Sequence, residues 1–279
     1  MNGLVIVRGG GDIASGTIYK LKKCGFSVLI LETGNPSAIR RNVAFSEAVY
    51  QGSQTIEDMT CYLADSREQA REFLQEGRLT VLVDPFADCL EYFRAAEGPE
   101  LIAVIDAVLA KKNLGTTMDM APITIALGPG FNAGKDCDVV IETMRGHQLG
   151  RLIHDGYAMA NTGIPGNIKG FTSERVIHSP AEGILRNIRS IADTVRKGED
   201  IAYIETPDGN VYVKATLDGL LRGLIRDGFP VTEGFKIADI DPRPDEYENC
   251  FTVSDKARCI AGGVLEALLE RMNELDISG

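Results

Sequence analysis

The segment Leu4-Val5-Ile6-Val7-Arg8-Gly9-Gly10-Gly11-Asp12-Ile13-Ala14-Ser15-Gly16 constrains the fold of this chain more than any other. An apolar run ends in three glycines and gives way at once to an amphipathic segment. That is the order of a strand, a tight loop and a helix. Gly9, Gly11 and Ala14 fit the spacing G-x-G-x-x-G/A of a dinucleotide-binding βα unit. The first glycine allows the turn, the second lets a pyrophosphate approach the backbone, and the small third residue lets helix and strand pack closely. Gly10 and Asp12 complete the loop, and the helix N-terminus offers N–H groups and a partial positive charge to phosphates. The predicted helix over 12–23 ends at Gly25, a good C-cap. A second predicted strand, 26–31, closes on Glu32, and an acid about 20 residues after the glycines is placed for ribose hydroxyls. A glycine-rich turn that binds nothing is the plainer reading, and the register of Glu32 weighs against it.

The same rhythm continues. Helices are predicted over 68–75 and 87–96, and strands over 79–83, 101–105, 122–127 and 139–141. Strands alternating with helices imply a Rossmann-like parallel sheet. Four apolar runs end in a carboxylate: Glu32, Asp84, Asp106 and Glu142. In an open parallel sheet ligands bind outside the carboxyl ends of the strands, so Glu32, Asp84 and Asp106 are candidate site residues. Arg40 lies just beyond the second strand, where it could reach an adenosine phosphate or sit in a solvated loop. A second glycine loop, Gly128-Pro129-Gly130, follows a buried-looking strand as an anion-cradling nest would. Arg145, His147 and Arg151 follow beside glycines, suited to clamp a phosphate or carboxylate.

The length of 279 residues allows one large or two modest domains. Acids exceed bases by 40 − 29 = 11, which argues against nucleic-acid binding. No apolar run approaches a membrane span and the N-terminus has no secretory pattern, so a cytoplasmic location is expected. Cys24, Cys61, Cys89, Cys137, Cys250 and Cys259 form no C-x-x-C pair, so no metal site is expected and buried free thiols are.

From Ala181 the chain changes character and repeats itself at an offset of thirty-six. Glu182-Gly183-Ile184-Leu185-Arg186 matches Asp218-Gly219-Leu220-Leu221-Arg222; Val195 and Gly198 match Val231 and Gly234; Ile201, Ala202 and Ile204 match Ile237, Ala238 and Ile240. Two copies imply two interlocked β-halves related by a pseudo-two-fold axis. The pattern resembles biotinyl/lipoyl carrier domains, which implies a small quasi-two-fold β-barrel, a barrel-sandwich hybrid. The hairpin between the halves reads Thr206-Pro207-Asp208-Gly209-Asn210, without the lysine a carrier modifies. The expected organisation is a Rossmann-like nucleotide-binding domain over 1–172, a biotinyl/lipoyl-like β domain over 173–245, and a C-terminal helix within 246–279. Its apolar face, Val264, Leu265, Leu268, Leu269 and Met272, suits the core or a second subunit, which leaves a homo-oligomer open.

Several motifs occur together: Arg8-Gly9-Gly10-Gly11-Asp12-Ile13-Ala14, Ala44-Phe45-Ser46-Glu47-Ala48-Val49-Tyr50, Leu127-Gly128-Pro129-Gly130-Phe131, Glu142-Thr143 with Arg145-Gly146-His147, Asn161-Thr162-Gly163, and Lys236-Ile237 with Asp241-Pro242-Arg243. In this set the chain resembles the YqeB-type accessory proteins of the selenium-dependent molybdenum hydroxylase system. The resemblance implies a prokaryotic protein that helps mature or supply a molybdenum hydroxylase, which would be its partner, and it carries over no catalytic residues. A pyrophosphate crevice suits a molybdopterin-type nucleotide as well as it suits NAD(P). The leading expectation is therefore a cofactor-binding accessory protein. The alternatives are an NAD(P)-dependent oxidoreductase, with His147, Lys111 or Lys112 as proton donor, and a scaffold that docks the hydroxylase and binds no nucleotide.

Overall fold

The computed structural model describes residues 3–95, 97–163 and 165–277. The chain divides into two units. The first comprises Met1–Pro36, Ala44–Asn161 and Val253–Gly279, and the second Ser37–Val43 and Thr162–Thr252.

The first unit is built on the strands β1 (Leu4–Arg8), β2 (Ser27–Glu32), β3 (Ser53–Ile56), β4 (Met59–Ala64), β5 (Leu79–Val83), β6 (Leu101–Asp106), β7 (Ile123–Leu127), β8 (Asn132–Ala133), β9 (Val139–Ile141), β10 (Leu152–Ile153) and β11 (Gly156–Tyr157). Its helices are α1 (Asp12–Lys23), α2 (Ala48–Gln51), α3 (Arg67–Gln75), α4 (Leu90–Ala95) and α5 (Asp255–Glu274). The helix expected to run to Ala96 ends within the described residues at Ala95; Ala96 itself lies outside them. Nine strands form one sheet in the order β10-β9-β7-β6-β1-β2-β5-β4-β3, and β8 pairs with β11. The run from β9 to β4 is parallel throughout. Both edges are antiparallel: β3 turns back on β4 and β10 on β9.

This corrects the expected all-parallel, Rossmann-like sheet to a large mixed sheet. The physical reason is connection length. Glu57 and Asp58 alone join β3 to β4, and two residues can close a hairpin but not a parallel crossover. The central strands β1, β6 and β7 are buried along their whole length, as strands covered on both faces must be. On one face α1 and α5 pack over Val5, Val7, Ile105, Ile125 and Ile141, with α5 contributing Ile260, Val264, Leu268 and Met272. On the other, Leu74 of α3 and Phe93 of α4 pack with Leu4, Ile6, Leu29 and Val104. The C-terminal helix is thus part of the first unit's core.

The second unit contains β12 (Val176–His178), β13 (Gly183–Asn187), β14 (Thr194–Val195), β15 (Asp200–Thr206), β16 (Gly209–Lys214), β17 (Gly219–Leu224), β18 (Pro230–Val231) and β19 (Lys236–Asp241). They form two four-stranded antiparallel sheets, β12-β19-β17-β14 and β16-β15-β13-β18. The thirty-six-residue offset maps β13, β14 and β15 onto β17, β18 and β19. Each copy places its short middle strand in the sheet of the other: β14 pairs with β17 and β18 with β13. The expected biotinyl/lipoyl-like β-barrel is corrected to these two separate sheets. Their ladders end at β12 and β14 and at β16 and β18, and among the described residues no strand pairing joins one sheet to the other to close a barrel. The hydrophobic residues between them include Leu185, Ile201, Ile204, Leu221, Ile237 and Ile240. Polar anchoring is also internal: Arg175 donates to Asp239 at 3.0 Å and to the Ile240 carbonyl at 3.2 Å, both buried.

Candidate functional site

The carboxyl ends of β9, β7, β6, β1, β2 and β5 stand side by side along one edge of the first unit's sheet. The loop Gly9-Gly10-Gly11 leaves β1 at its centre. Gly9 has φ +91°, and a Cβ there would lie 3.0 Å from the Ala107 oxygen and the Val108 Cα. A Cβ at Gly10 would lie 2.9 Å from the Ser46 nitrogen, which donates to the Gly10 carbonyl at 2.9 Å. Two of the glycines are therefore dictated by neighbouring backbone. Gly11 is not: a Cβ there meets nothing within 4 Å. It is the N-cap of α1 and, as glycine, supplies no side-chain cap of its own. Ala14 is buried, and the Asp12 carboxylate accepts the Ile13 N–H at 2.9 Å. Ser15 ties the loop down, donating to the Gly10 carbonyl at 3.2 Å and accepting from the Phe45 amide at 2.9 Å.

The four strand-end carboxylates all lie on this edge, and each binds loop backbone. Glu32 accepts the N–H groups of Gly10 and Thr33, both at 2.8 Å. Burial pushes its carboxyl above the usual range, against the pull of those two amides. Asp84 accepts from Asp88 at 3.0 Å and Cys89 at 2.9 Å. Asp106 accepts the Val108 amide at 3.1 Å and the Thr116 hydroxyl at 2.5 Å. The buried Arg8 guanidinium lies 3.4 Å from Asp106, donates to Thr116, and reaches the Pro85 and Leu114 carbonyls at 3.2 Å. Glu142 accepts from Met144 at 2.7 Å and Met159 at 2.8 Å. These acids hold the rim in shape.

The second glycine loop is closely packed, against a side chain at Gly128 and against backbone at Gly130. At Gly128, φ +77°, a Cβ would lie 2.5 Å from the Thr143 hydroxyl; at Gly130, φ +110°, it would lie 2.6 Å from Lys112. The loop thereby fixes the Lys111–Lys112 segment. Arg145 is exposed and makes a bidentate pair with Asp255 at 2.8 and 3.1 Å, which raises its already high pKa. Arg151 donates to Gln148 at 2.6 Å, and His147 is exposed on the same segment. Arg40 falls in the second unit, where it donates to the Asn249 carbonyl at 2.9 Å. The structure thus brings Gly9 to Ala14, Glu32, Asp84, Asp106, Gly128, Gly130 and Arg145 to the rim of one unit.

Helix α5 also takes part in this rim, through contacts far apart in the chain. A Cβ at Gly16 would lie 2.7 Å from the Ala257 Cβ, and Gly262 faces the Lys20 ammonium at 3.8 Å. Helices α1 and α5 therefore run side by side in the same direction, with both N-termini at the rim. Ser254 caps α5, accepting the Ala257 amide at 3.2 Å. Lys256, in the first turn, lies among Arg145, Asp12, Lys111 and Glu142, and burial and the two cations lower its pKa. The Ser-Asp-Lys helix start was readable in the sequence; the parallel contact that carries it to the rim was not.

Beside the glycine loop the rim is apolar. Val83, Phe86, Val108, Leu114 and Met118 are exposed, on the ends and loops of β5 and β6. Ala87, Leu109 and Lys111 in these loops have φ of +61°, +59° and +64°, each costing on the order of 1 kcal/mol or more. Among the described residues, no cluster of His, Cys, Asp and Glu is arranged to hold a metal ion. No described helix is long and apolar enough to cross a membrane.

No family model matches the chain. It is 50% identical to YqeB of Escherichia coli K12 over 271 residues, 97% of this chain and 48% of that protein. The chain spans about half the length of the curated relative it matches. The resemblance to YqeB read from the motifs thus holds across nearly all of this chain. Among solved structures it is similar to the ectoine utilization protein EutE (DoeB) of Ruegeria pomeroyi, at 11% identity and TM-score 0.26, covering 86% of each chain. An aspartoacylase family protein of Mesorhizobium loti matches at 12% and 0.28, covering 87% of this chain and 85% of that one. A succinylglutamate desuccinylase/aspartoacylase of Rhodobacter sphaeroides matches at 11% and 0.30, covering 88% and 87%. At these scores the likeness carries no argument about this chain.

Proposed function

We propose that this chain binds a phosphate-bearing small molecule of nucleotide or molybdopterin type at the N-terminal end of α1. We further propose that it serves as an accessory protein in maturing a selenium-dependent molybdenum hydroxylase in the cytoplasm. The observation that carries the binding reading is Gly11. Of the three loop glycines it is the one that neighbouring backbone does not require, and it faces open space at a helix N-terminus whose cap residue has no side chain. A helix start in that condition accepts an anion through its amides and its dipole. The N-terminus of α5 alongside strengthens the field, and Lys111, held against the Gly130 loop, adds positive charge. The exposed Val83, Phe86 and Val108 offer a surface for the ring system of such a ligand. The role in hydroxylase maturation rests on the motif resemblance and the identity to YqeB.

The test is thermal denaturation of the chain with cytidine nucleotides, a pterin phosphate and NAD(P), in parallel with Gly11→Asp. Ligand at a hundredfold excess over Kd stabilises by about 2.7 kcal/mol. The expected outcome is a rise in Tm with one of these compounds that Gly11→Asp abolishes while leaving the unliganded Tm nearly unchanged. No shift with any phosphate-bearing compound refutes the reading, and a shift confined to NAD(P) moves it to the oxidoreductase.

A further inference from the structure

We propose that β16 is a self-association edge: two copies of this chain pair antiparallel through it and join their β16-β15-β13-β18 sheets into one. The inference concerns the second unit and does not depend on the anion site of the first.

A sheet edge is a row of unpaired backbone groups, and proteins keep such rows short, charged or interrupted. Three of the four edges in the second unit are kept so. β14 and β18 have two residues each, β18 beginning with Pro230, and β12 has three with a register shift between Ile177 and His178. Among the described residues of this unit β16 is the exception. It runs six residues without proline, and Val211 and Tyr212 are 36% and 54% exposed.

Strand alternation decides which of its backbone groups are free. Ile188 donates to the Ile201 carbonyl, so the odd-numbered residues of β15 face β13 and the even-numbered ones face β16. Ala202 and Ile204 stand opposite Val213 and Val211. The amides and carbonyls of Asn210, Tyr212 and Lys214 therefore point to the open side.

Those groups specify their own complement. With Tyr212 opposite Tyr212 of the second copy, Asn210 comes opposite Lys214 at both ends, and every free amide meets a carbonyl. A two-residue slip leaves Lys214 or Asn210 opposite residues outside the strand. The side chains agree with this register. On the outward face Tyr203 and Tyr212 form a tilted ring pair with centroids 5.9 Å apart, and the two-fold extends it into a row of four tyrosines. In the flanking rows Lys214, paired with its own Asp200 at 2.7 Å, meets Asn210 of the second copy, with Glu205 of that copy beyond. Charges thus alternate along the row and no like charges stand opposite each other. On the inward face the exposed Val211 comes opposite Val213 of the second copy. The interface is one strand wide, so the dimer is a weak one that forms with rising concentration.

The experiment is sedimentation equilibrium of the full chain from micromolar to near-millimolar concentration, beside Tyr212→Lys, Tyr212→Glu and Tyr212→Pro. The parent should pass from monomer to dimer over this range. Tyr212→Lys and Tyr212→Glu each set like charges on the two-fold axis and should weaken association by at least about tenfold. An equimolar mixture of the two should associate again, as a heterodimer. Tyr212→Pro removes an amide that β15 does not use, so it should stay monomeric with an unchanged circular dichroism spectrum. The charged variants, at an exposed position, decide the question if the proline disturbs the hairpin. A parent that is monomeric at every concentration overturns the inference and leaves this edge to an extended segment of another protein. A dimer that Tyr212→Lys leaves intact overturns it too, because the interface then lies elsewhere. A mixture that stays monomeric overturns the pairing about Tyr212.

Discussion

The contact between α1 and α5 sets the geometry of the rim, and two glycines in it should respond to the same substitution with opposite signs. Both lie inside helices, where alanine is favoured over glycine by about 1 kcal/mol. At Gly262 the added methyl meets only the Lys20 ammonium, 3.8 Å away and at the end of a flexible side chain. Nearly the whole helical gain should survive, so Gly262→Ala should stabilise the fold by up to about 1 kcal/mol. At Gly16 the same methyl would lie 2.7 Å from the Ala257 Cβ and 2.9 Å from its carbonyl carbon and oxygen. Carbon atoms pack at about 3.5–4.0 Å, so the helices must separate by about 1 Å. Both are buried over a core that includes Ile18, Ile260 and Val264, and overpacking there costs about 1–3 kcal/mol. With the helical gain subtracted, Gly16→Ala should be destabilising by up to about 2 kcal/mol. Urea denaturation at one temperature, followed by far-ultraviolet circular dichroism, reads both variants against the parent. A Gly16→Ala midpoint at or above that of Gly262→Ala refutes the close parallel packing, and with it the placement of Lys256 beside α1.

Three further outcomes are expected. Glu32 has a carboxyl pKa raised by burial, so above its unfolded pKa the folded state holds the extra proton and stability falls as pH rises through the folded pKa. Glu32→Gln keeps an acceptor for the Gly10 amide and should flatten that part of the stability-against-pH curve; an unchanged slope assigns it elsewhere. Arg8→Met leaves Asp106 buried without its cation and frees the Pro85 and Leu114 carbonyls, which should cost about 3–5 kcal/mol in urea denaturation; a loss under about 1 kcal/mol means the buried pair is dispensable. With a thiol reagent, the exposed Cys259 should react first. Cys61, Cys89 and Cys137, whose thiols burial pushes up, to about 12 for Cys137, should react only on unfolding. Equal rates for all six contradict the burial pattern.

The opening βα unit was legible because each of its signals is local. The apolar run, the glycines and Gly25, left-handed just past the C-cap Cys24, fix β1 and α1, and the helix spans 12–23 as its pattern predicts. The thirty-six-residue repeat was legible for the same reason: matched apolar positions and Gly-Asp turns mark the same strands twice. Which strands those repeats pair with was not, since pairing joins residues far apart in the chain. Two separate sheets took the place of the expected barrel, and two hairpin edges turned a parallel sheet into a mixed one. The strand-end acids show the same boundary within the site. Their position was written in the sequence, but Glu32, Asp84, Asp106 and Glu142 each bind backbone amides, and a loop's path decides which amide arrives.

The sequence by itself determined a glycine loop opening a helix after a buried strand, and acids at the ends of its neighbours. Tertiary structure alone decided which glycine is open and which cations stand beside it. Gly9 and Gly10 are glycines because the Ala107–Val108 and Ser46 backbones press on them, leaving Gly11 as the one with space around it. Lys256 reaches the same rim from the far end of the chain because Gly16 lets α5 lie against α1. Local order follows from propensity and period, whereas contacts across some 240 positions follow only from how the packed core closes.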